Sequence, residues 1–133
     1  MICFVDYRTT ETEISSLKKF NFDVIKIPRD NNLYKAIDGH TDIQLNILDT
    51  NTIIINKNIN LTFKELLKTK NINFIESYTT LSENYPNNIP LNAYITDNYL
   101  IHNLKFTDKK ILDYCKNKKI INVKQGYTKC SIL

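Results

Sequence analysis

Glycine and proline are scarce in this 133-residue chain, which contains two Gly, three Pro and no Trp. This scarcity excludes Gly-rich flexible linkers and Pro-rich extended segments, so strands and helices must be joined by short turns rich in Asn and Asp. Hydrophobic residues make up 42% of the chain, which is enough apolar material for a folded core and excludes intrinsic disorder. We therefore expect one domain over residues 1–133.

The chain also lacks a long hydrophobic run. No segment approaches the roughly 18 apolar residues that are needed to cross a bilayer. The first residues, MICFVD, have neither the basic region nor the cleavage site of a signal peptide. We expect a cytoplasmic protein with no membrane partner.

Cysteine and arginine are both too sparse to indicate a disulfide framework, a structural zinc site or nucleic-acid binding. Cys3, Cys115 and Cys130 are odd in number and form no CxxC pair, which argues against a disulfide framework and against structural zinc. The net charge is +4, but only two of the 18 basic residues are Arg, which argues against nucleic acid as a partner. We expect reduced thiols and no cofactor.

The start of the chain predicts a strand, a helix and a second strand. Residues 2–6 have the composition of a buried strand, and Thr10 and Glu13 form the capping box of a helix that runs to about Phe20. Residues 22–27 then alternate as a strand. The apolar residues of the helix are expected on its inner face: Ile14, Leu17 and Phe20.

Two later segments share the order strand, strand, helix, strand. The elements of the first are strands 43–48 and 52–56, a helix from Thr62 to about Lys70, and strand 72–76. Those of the second are strands 91–96 and 99–102, a helix that begins at Thr107, and strand 120–124. The offsets between matching elements run from 45 (Thr62 to Thr107) to 48 (Ile43 to Leu91), and this period indicates a repeated ββαβ unit.

The remaining pieces predict a third unit. Residues 2–27 contain a strand, a helix and a strand, so they lack the leading strand of a ββαβ unit. Residues 129–133 form a strand that belongs to neither of the two units above. If 129–133 pairs beside 2–6, about three ββαβ units close into a ring around a pseudo-symmetry axis, an α/β fold of the α+β type. Terminal strands that stayed unpaired would expose apolar sheet edges, and a homodimer would then complete the ring.

This arrangement resembles the pentein fold of guanidino-group-modifying enzymes such as arginine deiminase, dimethylarginine hydrolase and the amidinotransferases. Three segments also resemble the N-terminal half of an uncharacterised bacterial family of that fold: 3–10 (CFVDYRTT), 38–46 (DGHTDIQLN) and 123–133 (VKQGYTKCSIL). The resemblance implies a bacterial protein that binds a small guanidinium or amidinium compound. It also implies Cys-dependent hydrolase or amidinotransferase chemistry.

Guanidino chemistry requires a thiolate that attacks the central carbon, a His that transfers protons and a carboxylate that holds the planar cation. Cys130, His40 and Asp42 supply one of each. Cys130 lies on the terminal strand at a repeat position near those of Asn92 and Gln44, and equivalent positions of a ring converge on its axis. The alternative for Cys130 is a small buried strand residue, the usual environment of a free cysteine.

Further polar residues are expected to contact the substrate. Asp6 and Arg8 follow a buried strand at its carboxyl end, where open α/β sheets place ligand-contacting side chains. His102 ends another predicted strand. The full set of predicted substrate-binding residues is Asp6, Arg8, Gln44, Asn92 and His102. The alternative is a solvated turn around Asp6 and a His102 that bonds to backbone.

The loop 38–42 (DGHTD) contains a His and carboxylates at alternating positions. Such a loop can contribute to a metal site, but the chain has only two His and no further ligands at a suitable spacing. We therefore expect a hydrogen-bonded turn and no metal.

Two functions of different classes remain open. The first is an enzyme-like domain that binds a small guanidinium-type ligand in the axial cleft. The second is a catalytically inactive protein-interaction or inhibitor module, a shortened relative of the pentein enzymes. Polar residues retained on the inner strands favour the first, and the short chain favours the second.

Deletion of residues 129–133 tests the predicted ring closure. The deletion should expose the edge of strand 2–6 and should remove buried Ile and Leu side chains, each of which stabilises a fold by about 1.5–3 kcal/mol. We expect the melting temperature to fall markedly in a thermal unfolding scan. An unchanged melting temperature would show that the terminal strands do not pair.

Overall fold

The computed structural model describes residues 1–29, 41–57, 59–77, 80–82, 85–88, 93–102 and 109–122. Helices and strands are mixed along the chain, as predicted. In chain order they are β1 (Ile2–Val5), α1 (Glu11–Lys19), β2 (Asp23–Lys26), α2 (Thr41–Gln44), β3 (Leu45–Ile47), β4 (Thr52–Asn56), α3 (Leu61–Thr69), β5 (Asn73–Ser77), β6 (Thr80–Ser82), β7 (Tyr85–Asn88), β8 (Ala93–Ile95), β9 (Tyr99–His102), α4 (Lys109–Tyr114) and β10 (Lys119–Asn122).

The first sheet is formed by β1 and β2, which pair in parallel with Ile2 opposite Asp23. Helix α1 connects them, and its start confirms the predicted capping box. The Thr10 hydroxyl accepts from the Glu13 N–H at 3.3 Å, and the Glu13 carboxylate accepts from the Thr10 N–H at 2.7 Å. These reciprocal bonds satisfy two N–H groups at the helix start and lower the pKa of Glu13.

The second sheet has the order β3-β4-β5. Strand β4 runs antiparallel to β3 and parallel to β5, so α3 crosses over between two parallel neighbours. The predicted strand 43–48 is wrong at its start, because residues 41–44 form the helical turn α2. The helix start at Thr62 is also wrong. The Asn60 side chain, two residues earlier, accepts from the Thr62 N–H at 2.8 Å and caps α3.

The third sheet has the order β10-β9-β8. Its strands repeat the arrangement of the second sheet, since β8 pairs antiparallel with β9 and β9 pairs parallel with β10. Strands β6 and β7 form an antiparallel pair that the sequence did not predict. The predicted cap Thr107 and the predicted terminal strand 129–133 lie outside the described residues.

Two apolar clusters form the core and meet at β4. Ile53 and Ile55 belong to a cluster that includes Ile25 and Ile27, in and just after β2, and Phe63 and Leu67 from α3. Ile54 belongs to the other cluster, with Leu100 from β9 and with Ile111 and Cys115, in and just after α4. Alternate residues of a strand point to opposite faces, so one strand joins both halves of the core. Phe20 was predicted to face inward, but it is 76% exposed because α1 ends before it.

Polar contacts also join neighbouring sheets. The Asn46 amide on β3 donates to the Ala93 carbonyl on β8 at 2.5 Å. Lys70, at the end of α3, forms an ion pair of 2.6 Å with Asp23 on β2. Tyr114, the last residue of α4, donates to the Asp49 carboxylate in the β3–β4 turn. Each contact links elements that belong to, or adjoin, different sheets.

Helices α1 and α3 end alike, with an Asn in the left-handed region. Asn21 has φ 61° and Asn71 has φ 56°. At the end of α3, the N–H of Asn71 donates to the Lys68 carbonyl at 3.0 Å and the N–H of Ile72 donates to the Leu67 carbonyl at 2.9 Å. This bonding reverses the chain into the following strand and satisfies carbonyls at the helix end.

Replacement of Asn71 tests this helix end. We expect Asn71→Ala to lower the free energy of unfolding by about 1 kcal/mol, because a Cβ without a compensating polar group disfavours positive φ. Asn71→Gly should be as stable as the parent or more so, since Gly adopts this region without strain. Denaturant titration measures both. Equal stability of the Ala and Gly variants would contradict this account of the turn.

Tyr114→Phe should weaken the junction between α4 and the β3–β4 turn in a pH-dependent way. The hydrogen bond from Tyr114 lowers the pKa of Asp49, and the same bond raises the pKa of Tyr114. Its stabilisation is therefore present above the unfolded pKa of Asp, about 4, and below that of Tyr, about 10.

In that window we expect Tyr114→Phe to cost about 0.5–1.5 kcal/mol of unfolding free energy. The difference from the parent should shrink as the pH falls through the folded pKa of Asp49. It should also shrink as the pH rises through the folded pKa of Tyr114. Urea titrations across this range measure the difference, and a cost that does not change with pH would contradict the assignment.

Candidate functional site

The candidate site lies at the carboxyl ends of the parallel strands β4 and β5. These strands end on the register pair Asn56 and Ser77, and both residues are fully buried. The backbone closes this end of the sheet, because the Lys57 N–H donates to the Ser77 carbonyl at 2.9 Å. Such an edge is where open α/β sheets bind ligands.

Gln44 lies at the same end of the sheet. It is the last residue of α2 and directly precedes Leu45, which pairs with Ile55, the neighbour of Asn56. The Gln44 side chain is fully buried, and neither its Oε1 nor its Nε2 forms a hydrogen bond within the part of the chain that the structure describes. A buried amide in this state destabilises the fold by about 1–3 kcal/mol per polar atom.

The third sheet presents polar residues at its corresponding end. The parallel strands β9 and β10 end on the register pair His102 and Asn122. His102 also pairs with Ala93, the first residue of β8, so the chain position of Asn92 directly precedes this pair. The backbone therefore places the predicted residue His102 at the third-sheet counterpart of the Asn56 position.

Asp6 and Arg8 lie just after β1, at the carboxyl end of the first sheet. The Asp6 carboxylate accepts from the Arg8 guanidinium at 3.0 Å and from the Arg8 N–H at 2.6 Å. The guanidinium carbons of Arg8 and Arg29 lie 5.9 Å and 5.5 Å from the centroid of the Tyr7 ring. Partial burial raises the pKa of Asp6, but the hydrogen bonds and charge of Arg8 outweigh it, so the pKa is lowered. The Asp6 carboxylate is therefore ionised and engaged by Arg8.

One ion pair beside the site was not predicted from the sequence. The Lys64 side chain, 14% exposed, bonds to the Glu76 carboxylate at 2.8 Å and to the Lys57 carbonyl at 2.7 Å. The hydrogen bond from Lys64 lowers the pKa of Glu76. Lys64 on α3 thus bridges the residue that follows β4 and the penultimate residue of β5. The sequence signal was weak, because one Lys on a Lys-rich helix does not stand out.

The predicted catalytic residues cannot be placed together from the described chain. Cys130 and His40 lie outside the described residues, as does Asn92. The Asp42 backbone lies in α2, two residues before Gln44. The assignment of Cys130, His40 and Asp42 stays a prediction, and the backbone places only Asp42 near the buried Gln44.

The other two thiols have environments typical of structural cysteines. Cys115 is fully buried, and burial raises its pKa. Cys3 is half-buried on β1. Neither is disulfide-bonded. Within the described ranges, no group of three or more His, Cys, Asp or Glu side chains is arranged to hold a metal ion.

Comparison with solved structures identifies the fold as pentein-like. The chain is similar to C. jejuni agmatine deiminase, a pentein-fold enzyme, with a TM-score of 0.62 and 21% sequence identity. The match covers 92% of this chain and 46% of the agmatine deiminase chain. The chain thus spans about half the length of that enzyme, and at this identity the similarity establishes the fold alone.

The sequence itself places the chain in a family. Residues 4–133 match a family of unknown function, DUF6873, and the chain belongs to that family. A search of curated proteins finds no match. In the described part of the chain, no helix has both the length and the apolar character needed to span a bilayer.

Proposed function

We propose that this chain is a pentein-like domain that binds a small guanidinium or amidinium compound. The observation that indicates a ligand site is the fully buried Gln44 at the carboxyl end of parallel strands, whose amide bonds to no described residue. A buried polar group in that state is unusual and calls for a functional explanation. The fold it shares with agmatine deiminase supports a guanidino compound as the ligand class.

The proposed reaction is hydrolysis of the guanidinium group. The Cys130 thiolate attacks the central carbon and forms an S–C bond, and the C–N bond to an amino group breaks as His40 protonates the leaving ammonia. Water then adds to the carbon as His40 takes up one of its protons, and the S–C bond breaks, which releases a ureido product and restores the Cys130 thiolate and the protonated His40. Transfer of the amidino group to an amine instead of water would be the corresponding amidinotransferase reaction.

The remaining residues hold the substrate in this proposal. The Asp42 carboxylate binds the planar cation through paired hydrogen bonds. Asp6, Arg8, Asn92 and His102 line the cleft at the carboxyl ends of the first and third sheets. Thiolate chemistry requires a reduced Cys130, and a cytoplasmic location would keep it reduced.

A protein-interaction or inhibitor module is the second candidate. Exposed apolar side chains on the third sheet favour it, since Tyr94 is 49% exposed, Tyr99 42% and Ile120 43%. Apolar surface of this kind is common at protein interfaces. The partner would be another protein or a second copy of this chain, and light scattering over a range of concentrations would detect the homodimer.

Turnover and covalent labelling test the enzyme. The protein is incubated with arginine, methylated arginines and agmatine, and we expect ammonia, a ureido product and an intact-mass adduct on Cys130. Cys130→Ser should lower turnover at least about a thousandfold, as loss of a covalent nucleophile does. Cys3→Ser, a matched thiol control, should retain turnover. Absence of an adduct, of turnover and of any thermal shift would leave the interaction module as the function.

A further inference from the structure

Gln44 presents one acceptor and one donor to whatever group it contacts. Its Oε1 accepts hydrogen bonds and its Nε2 donates them. Both atoms are buried, and neither bonds to a described residue. A ligand that satisfied both atoms would need a donor and an acceptor side by side in one plane.

A guanidinium group does not meet this requirement. All of its polar hydrogens are donors, so it can bond to the Gln44 Oε1 but leaves the Nε2 without an acceptor. A ureido group carries a carbonyl acceptor beside its N–H donors, in the same planar geometry as the Gln44 amide. It can therefore form two parallel hydrogen bonds with Gln44.

The buried polar side chains at this end of the second sheet favour the same ligand form. Among the described residues they are Gln44, Asn56 and Ser77, and all three are neutral. A cation buried against neutral groups loses its hydration without gaining a counter-charge, whereas a neutral ureido group loses far less. The Gln44 amide itself is thus better suited to an uncharged group.

We propose that Gln44 binds the ureido form of the ligand, with Oε1 accepting from a ureido N–H and Nε2 donating to the ureido carbonyl. This inference rests on the proposed function, because hydrolysis of a guanidinium compound yields the corresponding ureido compound and ammonium. The site accordingly holds its product class more tightly than its substrate class. The expected ratio is roughly 5- to 150-fold, the range associated with one buried unsatisfied donor.

Calorimetric titration with matched pairs of probes tests the preference. The pairs are citrulline with arginine, and N-propylurea with N-propylguanidine. Wild-type protein should bind the ureido member of at least one pair more tightly. Gln44→Met, which has a similar length and no amide, should lose the preference. Gln44→Glu, which has no donor and adds a negative charge, should reverse it. Asn73→Met, which replaces an exposed amide on β5, should leave it unchanged.

Stability without ligand separates a binding role from a structural one. Gln44→Met should raise the melting temperature by about 7 °C or more, because it removes two buried polar atoms that bond to no described residue. If the Gln44 amide instead stabilised the fold, Gln44→Met would lower the melting temperature. A lower melting temperature of Gln44→Met, or a ureido preference that survives both Gln44 variants, overturns the inference.

The same titrations distinguish failure of the Gln44 assignment from failure of the proposed function. If the guanidino probes bind and react but wild-type protein shows no ureido preference, the Gln44 assignment is wrong and the proposed function stands. If neither the ureido nor the guanidino probes bind, both are wrong.

Discussion

The burial of β4 on both faces is the constraint on which the rest of the structure depends. All five of its residues are buried, and its isoleucines alternate between the two core clusters. A strand buried on both faces needs parallel or antiparallel neighbours along its whole length and apolar layers above and below it. The antiparallel β3, the parallel β5 and the helices that cover them meet that need. They also bring the polar carboxyl ends of two strands to one buried edge.

Local sequence signals predicted the parts of the fold that depend on neighbouring residues. The capping box of Thr10 and Glu13 was found because its hydrogen bonds form within one helical turn. The cap of α3 was assigned to Thr62 instead of Asn60, because both residues are good caps and only the tertiary fold selects between them. The strands β6 and β7 were missed because their residues are polar, include Pro86 and show no apolar alternation.

The sequence selected two residues that lie at strand ends of the candidate site, but no sequence pattern predicted the burial of Gln44. The repeat position selected Gln44, and a strand end selected His102. The complete burial of Gln44 depends on how α2 and β4 pack together, which no pattern in the sequence shows. The contact between Lys64 and Glu76 links a helix to a strand twelve residues away, and its partners are ordinary surface residue types. The burial of Gln44 and the ion pair of Lys64 with Glu76 both depend on tertiary packing.

Gln44 also bears on how members of this family would change over time. If Gln44 binds the proposed ligand, its buried amide persists under selection for that ligand, because an apolar side chain at this position would favour stability. Lineages that lose the ligand should therefore drift toward Leu, Met or Val at position 44, while the Ile residues of β4 stay apolar in all of them. The residue at this one position would then record which relatives still bind a ligand and which have kept only the scaffold.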